Sequence, residues 1–140
     1  MIVAAVVAVG AGVGGHAVAT RATEVRGPVP APSAPVRDVA LAYLRAATTE
    51  DCGLTDALTV HAPDGPGTGT FAWCRDPRML AFSGVGRPDP TGEPAGDYCV
   101  PFTMRTTASS DETIQAGTQD WMLCFTRTSA GWRVLDQGDS

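Results

Sequence analysis

The alternation of apolar and polar residues is most regular in the last third of the chain, from Asp97 to Gly138. Because successive side chains of a strand point to opposite faces, two paired strands bring their apolar positions onto one face. If the two segments on either side of Asp111 and Glu112 pair as a hairpin, apolar residues lie directly opposite each other. These pairs are Tyr98–Phe125, Val100–Leu123 and Phe102–Trp121. We therefore predict two antiparallel strands in that register.

Two of the four cysteines support the same register. It places Cys99 directly opposite Cys124 on the second face, where Cα atoms lie about 4.5–5.5 Å apart, within the range of a disulfide. We predict a Cys99–Cys124 bridge, which leaves Cys52 to pair with Cys74. Zinc sites usually draw on close cysteine pairs, which this sequence lacks, so two disulfides in an oxidising compartment are expected. The alternative is four reduced, buried thiols.

A third strand is predicted after the turn at Thr128–Gly131, whose last residue is the glycine expected of a type I turn with a bulge. Trp132 and Val134 then occupy alternate positions, which places them on the apolar face. Asp136 has the same parity. By this parity the Asp136 carboxylate could face an interior cavity, and the alternative is an exposed salt bridge, the commoner fate of a carboxylate near the end of a chain.

Upstream segments are predicted to cover this sheet. Val36–Ala47 has the period of an amphipathic helix. Its apolar stripe consists of Val36, Val39, Ala40, Tyr43, Leu44 and Ala47. Thr48-x-x-Asp51 resembles a capping box and predicts a second short helix. The buried side of that helix would be Leu54, Ala57 and Leu58. Met79–Val85 is predicted to be a strand, and Arg87–Gly96 a long flexible connection.

The N-terminal segment Met1–Ala19 carries no charged side chain. Since roughly 20 apolar residues cross the hydrocarbon core, it is predicted to be a transmembrane anchor or a signal segment. Its Gly10–Gly15 stretch formally matches the dinucleotide-binding fingerprint, but no βαβ unit follows. Small residues in a membrane helix explain the same glycines.

The orientation of this segment is in conflict with the disulfides. Arg21 and Arg26 follow the apolar run, and the positive-inside rule would then place the domain in the cytoplasm. We expect a basic stretch upstream of Met1, which would direct the domain to the extracytoplasmic side of the cell membrane. Cleavage after Ala17-Val18-Ala19 would make the domain a secreted one.

Residues 20–35 are predicted to be a linker. Its Pro-rich part, Gly27–Pro35, favours an extended polyproline II conformation. At about 3.1 Å per residue, such a spacer would hold a domain about 25–30 Å from a membrane. Residues 36–140 would then form one extracytoplasmic α+β domain.

The composition argues against nucleic acid as a partner. The formal net charge is −5, and all ten basic residues besides histidine are arginine. A nucleic-acid surface needs a basic patch, which this balance does not favour. Arginine without lysine, beside abundant alanine, glycine and proline, is typical of coding at high G+C content, as in actinobacteria.

Three stretches carry a resemblance to a known family: the opening helix RDVALAYLRAA, the acidic Glu50-Asp51-Cys52, and the closing WMLCF and GWRVLDQG. Over residues 36–138 the chain resembles the nuclear transport factor 2-like superfamily, in particular its membrane-tethered or secreted actinobacterial members. The resemblance implies a cone-shaped α+β fold, in which N-terminal helices pack on a curved antiparallel sheet around a cavity. It implies no single function, because this scaffold hosts both enzymes and binding modules.

Residues predicted to line that cavity are Tyr43, Trp73, Tyr98, Phe102, Trp121, Trp132 and Asp136. The resemblance implies one enzymatic alternative, since ketosteroid isomerase and scytalone dehydratase use an acidic residue or histidine with tyrosine or aspartate inside the cone. A buried Asp136 beside Tyr43 or Tyr98 would suit proton abstraction next to a carbonyl group. Packing in the core explains Tyr43 and Tyr98 equally well. For Trp73, Trp121 and Trp132 it is the favoured interpretation, ahead of a ligand pocket or a partner groove.

We expect a non-enzymatic domain without catalytic residues, cofactor or metal, which binds a protein partner or a small apolar ligand. An accessory subunit of a cell-envelope assembly would suit the membrane tether and the spacer. The alternatives are a small isomerase or dehydratase-like enzyme and a purely structural envelope protein.

Overall fold

Residues 24–61, 73–91 and 96–140 are described by the structure, a computed structural model. In these ranges the protein is α+β, with helices α1 (Val36–Thr48) and α2 (Cys52–Ala57) followed by strands β1 (Met79–Ser83), β2 (Asp89–Pro90), β3 (Tyr98–Thr106), β4 (Gly117–Thr128) and β5 (Gly131–Gly138). The strands form one antiparallel sheet in the order β1-β3-β4-β5, and β2 also pairs with β3.

The predicted register of the central hairpin is confirmed. Strands β3 and β4 oppose Tyr98 to Phe125, Val100 to Leu123 and Phe102 to Trp121. Both predicted disulfides, Cys99–Cys124 and Cys52–Cys74, are also present. A one-residue slip would exchange the two faces of a strand, so the apolar pairs and the cysteine pair specify the same alignment.

Helix α1 packs on the inner face of the sheet through the predicted stripe. All but one residue of this stripe are buried, namely Val39, Ala40, Tyr43, Leu44 and Ala47. Val36, at the start of the helix, is half-buried. The opposing core residues of the sheet include Val100, Met104, Leu123, Phe125 and Val134. Asp38 in the first turn and Arg45 in the last turn complement the dipole of the helix.

The start of α2 differs from the predicted capping box. Thr48 is still helical, and its hydroxyl donates to the Leu44 carbonyl oxygen at 3.1 Å. Asp51 is the N-cap residue, because its carboxylate accepts from the Leu54 backbone N–H at 3.2 Å. Ala57, predicted to be buried, is exposed, whereas Leu54 and Leu58 are buried as predicted.

The strand β1 is shorter than predicted, since it ends at Ser83. Gly84 follows with a φ of 61°, a backbone conformation that favours glycine. The connection predicted to be flexible contains β2, in which Asp89 opposes Cys99 and Pro90 opposes Tyr98. Residues 92–95 of that connection lie outside the described residues.

The alternation predicted for β5 holds only to Val134. Phe125 opposes Val134 and Cys124 opposes Asp136, so Leu135 is an extra residue that forms a bulge. Beyond the bulge, each side chain of β5 points to the face opposite to the one that uninterrupted alternation predicts. Asp136 is therefore exposed, and Gln137 takes the inward position that strict alternation assigned to Asp136.

Residues 24–35, which we call the strap, lie on the domain and do not form the free spacer that the sequence predicts. The backbone N–H groups of Arg26 and Gly27 donate to the Asp51 carboxylate, at 3.2 and 2.7 Å. The Arg26 guanidinium donates to the carbonyl oxygens of Thr49 and Glu50. Proline favours an extended chain, but it does not determine whether that chain stays in solvent or packs on a neighbour.

The far end of the strap contacts the turn between β4 and β5. Gly131 has a φ of 106°, and a Cβ atom there would lie 3.0 Å from the Cα atom of Pro32. Both the backbone conformation and the close approach therefore require glycine at this position. The strap thus contacts the domain at two places, the start of α2 and the start of β5.

The predicted anchor or signal segment, Met1–Ala19, lies outside the described residues. Among the residues that are described, no helix is both long and apolar enough to cross a membrane.

Candidate functional site

Three of the predicted cavity-lining residues converge on Gln137 in the interior. The indole N–H groups of Trp73 and Trp121 donate to the Gln137 side-chain oxygen, at 2.8 and 3.3 Å. The Tyr43 side chain also hydrogen-bonds with Gln137 and with Thr59. The two indole rings meet edge to face, with centroids 5.9 Å apart. We call Tyr43, Trp73, Trp121 and Gln137 the inner cluster.

The four side chains of the inner cluster are all uncharged at physiological pH. Burial raises the pKa of the Tyr43 phenol well above its usual value of about 10, so this group is neutral at physiological pH. Gln137 does not titrate, and indole nitrogen is a donor only. An amide that accepts from two indoles satisfies polar groups which would be costly to bury without partners.

Asp136, the carboxylate on which the enzymatic alternative depends, is not near this cluster. It is exposed and opposes Cys124 on the outer face of the sheet. Its carboxylate accepts from the Gln137 backbone N–H at 2.8 Å. Tyr43, by contrast, is fully buried beneath the inner face. The structure therefore separates the carboxylate and the phenol that the isomerase hypothesis would bring together.

Gln137 was not predicted to be a site residue. The signal that would have indicated it is the cost of burying an unpaired carboxylate at Asp136. A bulge at Leu135 avoids that cost and places an amide inside instead. Phe102 lies in the core opposite Trp121, so it also contributes to packing.

The remaining two candidates, Tyr98 and Trp132, meet at the other end of the sheet. Their rings are edge to face, with centroids 5.6 Å apart and planes at 89°. Arg127 opposes Trp132 in the β4–β5 ladder, and its guanidinium carbon lies 5.2 Å from the centroid of the Trp132 ring. Both rings are half-buried, and Arg127 is exposed. We call these three residues the aromatic–arginine surface.

In the part of the chain that the structure describes, the one cationic side chain of this surface, Arg127, has no acidic partner. Among the described residues, Arg78 pairs with Glu50 at 2.7 Å, and the His61 ring nitrogen lies 3.1 Å from a carboxylate oxygen of Asp56. Within the described ranges, Arg127 has no carboxylate oxygen within 4.0 Å, and neither has the neighbouring Arg133. Arg133 donates to the Trp132 carbonyl oxygen at 2.8 Å. The surface therefore offers half-exposed rings beside a guanidinium that can accommodate a further hydrogen-bond acceptor.

Two shallow grooves lie elsewhere on the described residues. One, of about 220 Å³, lies over β1, β3 and β4 and is lined by residues that include Ser83, Thr103 and Arg105. The other, of about 170 Å³, lies between the strap and α1 and is lined by residues that include Pro28 and Ala46. Small-molecule sites usually measure about 300–1,000 Å³, so neither groove is large enough to be the favoured site.

Neither a metal centre nor a known relative points to a function. In the ranges 24–61, 73–91 and 96–140, no three His, Cys, Asp or Glu side chains are grouped so as to hold a metal ion. No protein-family model, curated protein or solved structure matches the chain.

Proposed function

We propose that this protein is a non-enzymatic, extracytoplasmic binding domain, held at the membrane through residues 1–19, which docks a protein partner on the aromatic–arginine surface. The observation that carries the proposal is the half-exposed contact of Tyr98, Trp132 and Arg127. Tyrosine, tryptophan and arginine are the residue types that dominate the binding energy of protein interfaces. An accessory subunit of a cell-envelope assembly would use such a surface.

Several features support this location and this kind of fold. Two disulfides favour an oxidising compartment. Helices that cover one face of an antiparallel sheet are compatible with a nuclear transport factor 2-like cone. We prefer binding to isomerase or dehydratase chemistry because Asp136 lies on the outer face, away from Tyr43.

Photo-crosslinking from the surface tests the docking proposal. A photoreactive amino acid replaces Trp132 in the full chain, which is expressed and irradiated in its native membrane. The matched control carries the same amino acid at Leu80, an apolar residue that is 41% exposed on the edge strand β1. We expect a discrete crosslinked product from position 132 that is missing from position 80. Equal products from both positions, or none from either, would contradict docking at this surface.

Trapping of thiols in living cells tests the compartment. Cells are acidified to stop disulfide exchange, and free thiols are then alkylated with a reagent that adds mass. We expect all four cysteines to be protected until a reductant is added, because both pairs are bridged. Alkylation of the protein without reduction would contradict an oxidising location.

A further inference from the structure

We propose that the group which docks on the aromatic–arginine surface is a carboxylate from an acidic segment of a protein partner, bound by the guanidinium of Arg127. This inference rests on the proposed function and specifies the chemistry of its partner. It combines the position of Arg127, the lack of an acidic partner in the described part of the chain, and the charge of the surroundings.

The first step is the position of the Arg127 guanidinium. It lies 5.2 Å from the centroid of the Trp132 ring, in the range of a cation–π contact. Arg127 and Trp132 are directly opposed across the β4–β5 ladder, so the backbone supports the contact. A guanidinium held over a ring keeps the N–H groups at its edge available. Those groups match the two oxygens of a carboxylate.

The second step is the apolar area beside this cation. Tyr98 packs edge to face against Trp132, and both rings remain half-buried. A carboxylate bound next to apolar rings loses competing water, which strengthens its pairing with arginine. The segment that carries the carboxylate can also cover the rings with its neighbouring side chains.

The third step chooses between a protein segment and an anionic lipid surface. The chain has a formal net charge of −5, and exposed Asp89 lies on β2, which pairs with the start of β3 next to Tyr98. A bilayer with anionic lipids presents many negative charges over a wide area, which such a chain would repel. A flexible acidic segment, in contrast, can present its carboxylates only where Arg127 lies, beside Trp132. The charge distribution therefore favours a protein segment.

The experiment uses synthetic peptides as probes and the disulfide-bonded chain labelled with ¹⁵N. One peptide alternates glutamate and glycine, and its control alternates glutamine and glycine. We expect the glutamate peptide to shift the Arg127 Nε–H and Trp132 Nε1–H signals, and the shift to weaken as salt is added. The indole signals of Trp73 and Trp121, which are bonded to Gln137, should stay in place.

Three variants sharpen the result. Arg127→Gln should weaken binding of the glutamate peptide by about fivefold, the upper range for an exposed charge pair. Arg127→Lys keeps the charge but not the planar fork, so it should bind with intermediate affinity. Arg105→Gln removes an exposed arginine elsewhere in the sheet and should leave binding unchanged. Equal binding of the glutamine peptide, or no effect of Arg127→Gln, would overturn the inference.

Lipid and free anions are tested with the same signals. Vesicles of phosphatidylglycerol and phosphatidylcholine, and inorganic phosphate, are each titrated into the labelled chain. Stronger shifts from either of these than from the glutamate peptide would overturn the assignment to an acidic protein segment.

Failure of this inference is distinguishable from failure of the proposed function. A crosslinked product from position 132 that forms equally in an Arg127→Gln background would retain the docking surface and overturn the role of the carboxylate. Binding of the glutamate peptide at Arg127, without a crosslinked product in cells, would support the chemistry of the surface and contradict the proposed function.

Discussion

The inner cluster and the aromatic–arginine surface contain similar pairs of aromatic rings, but the polar group that contacts the rings differs between them. Both contain an edge-to-face aromatic pair, with centroids 5.9 Å apart in the first and 5.6 Å in the second. In the inner cluster a neutral amide accepts from both indoles. At the surface, a guanidinium lies over one ring and keeps donors for solvent.

This difference suggests a way to distinguish aromatic side chains that stabilise the core from those that bind a partner. Where the polar edge of each ring is bonded within the protein, as at Gln137, the rings contribute to the core and their removal should cost stability. Where a charged donor stands beside half-exposed rings, as at Arg127, removal should cost binding instead. The following variants test that division.

The largest effect is expected from Gln137→Met, which keeps the length of the side chain and removes the acceptor. The indole N–H groups of Trp73 and Trp121 would lose their acceptor, whereas Tyr43 would lose one partner and keep its hydrogen bond with Thr59. An unsatisfied buried group costs about 1–3 kcal/mol, so we expect a loss of about 3–5 kcal/mol in the free energy of unfolding. Urea denaturation measures this free energy.

Gln119→Met, at a half-buried glutamine that donates to Thr106, is the matched control and should lower the free energy of unfolding by about 1 kcal/mol. Equal losses in the two variants would contradict a central role for Gln137.

The two disulfides should stabilise the fold about equally but act on different clusters. They join residues separated by 22 and 25 positions, so loss of either by double Cys→Ala substitution should cost about 3–4 kcal/mol. Cys74 directly follows Trp73, whereas Cys99 directly follows Tyr98. Loss of Cys52–Cys74 should therefore shift the Trp73 indole signal in NMR spectra. Loss of Cys99–Cys124 should leave that signal in place, because the β3–β4 ladder holds the cysteine positions together without the bridge. The opposite pattern would contradict this assignment.

Alkaline pH should destabilise the protein through Tyr43. Burial raises the pKa of Tyr43 in the folded protein, so the unfolded chain releases this proton first. The stabilising contribution is complete below the unfolded pKa of about 10 and falls as the pH rises above it, by up to about 1.4 kcal/mol per pH unit. Unfolding in urea between pH 8 and about pH 11 measures the slope. Tyr43→Phe removes the titrating group, and a slope that persists unchanged in this variant would contradict the assignment.

The register of β3 and β4 was predictable because two independent patterns demand it. Apolar alternation requires Val100 to face Leu123, and the cysteine pair requires Cys99 to face Cys124. The bulge at Leu135 was not predictable in this way, since a single extra residue in β5 leaves the apolar pattern before Val134 intact. The sequence therefore indicated the sheet correctly, whereas parity alone placed the candidate Asp136 on the inner face, which Gln137 occupies.

The docking of the strap depends on contacts between distant parts of the chain. The clamp between Asp51 and the backbone of Arg26 and Gly27 spans about a sixth of the sequence, and proline content does not indicate it. Arg127 was accessible to prediction. A two-residue turn after Thr128 places Arg127 directly opposite Trp132, which is a cross-strand pair of arginine and indole.

The smallest effect on stability is expected from Arg127→Gln, the variant that should matter most for binding. An exposed cation–π contact contributes about 0.5–1 kcal/mol, so loss of the Arg127–Trp132 contact should lower the free energy of unfolding by no more than that. Arg105→Gln, at an exposed arginine of β3, should change it by less than about 0.5 kcal/mol. Urea denaturation of both variants, beside the peptide titrations, measures the two effects separately. A large loss of stability would make Arg127 a structural residue like Gln137, and the distinction between the two clusters would then fail. A small loss, together with weaker binding of the glutamate peptide, is the combination that a binding surface requires.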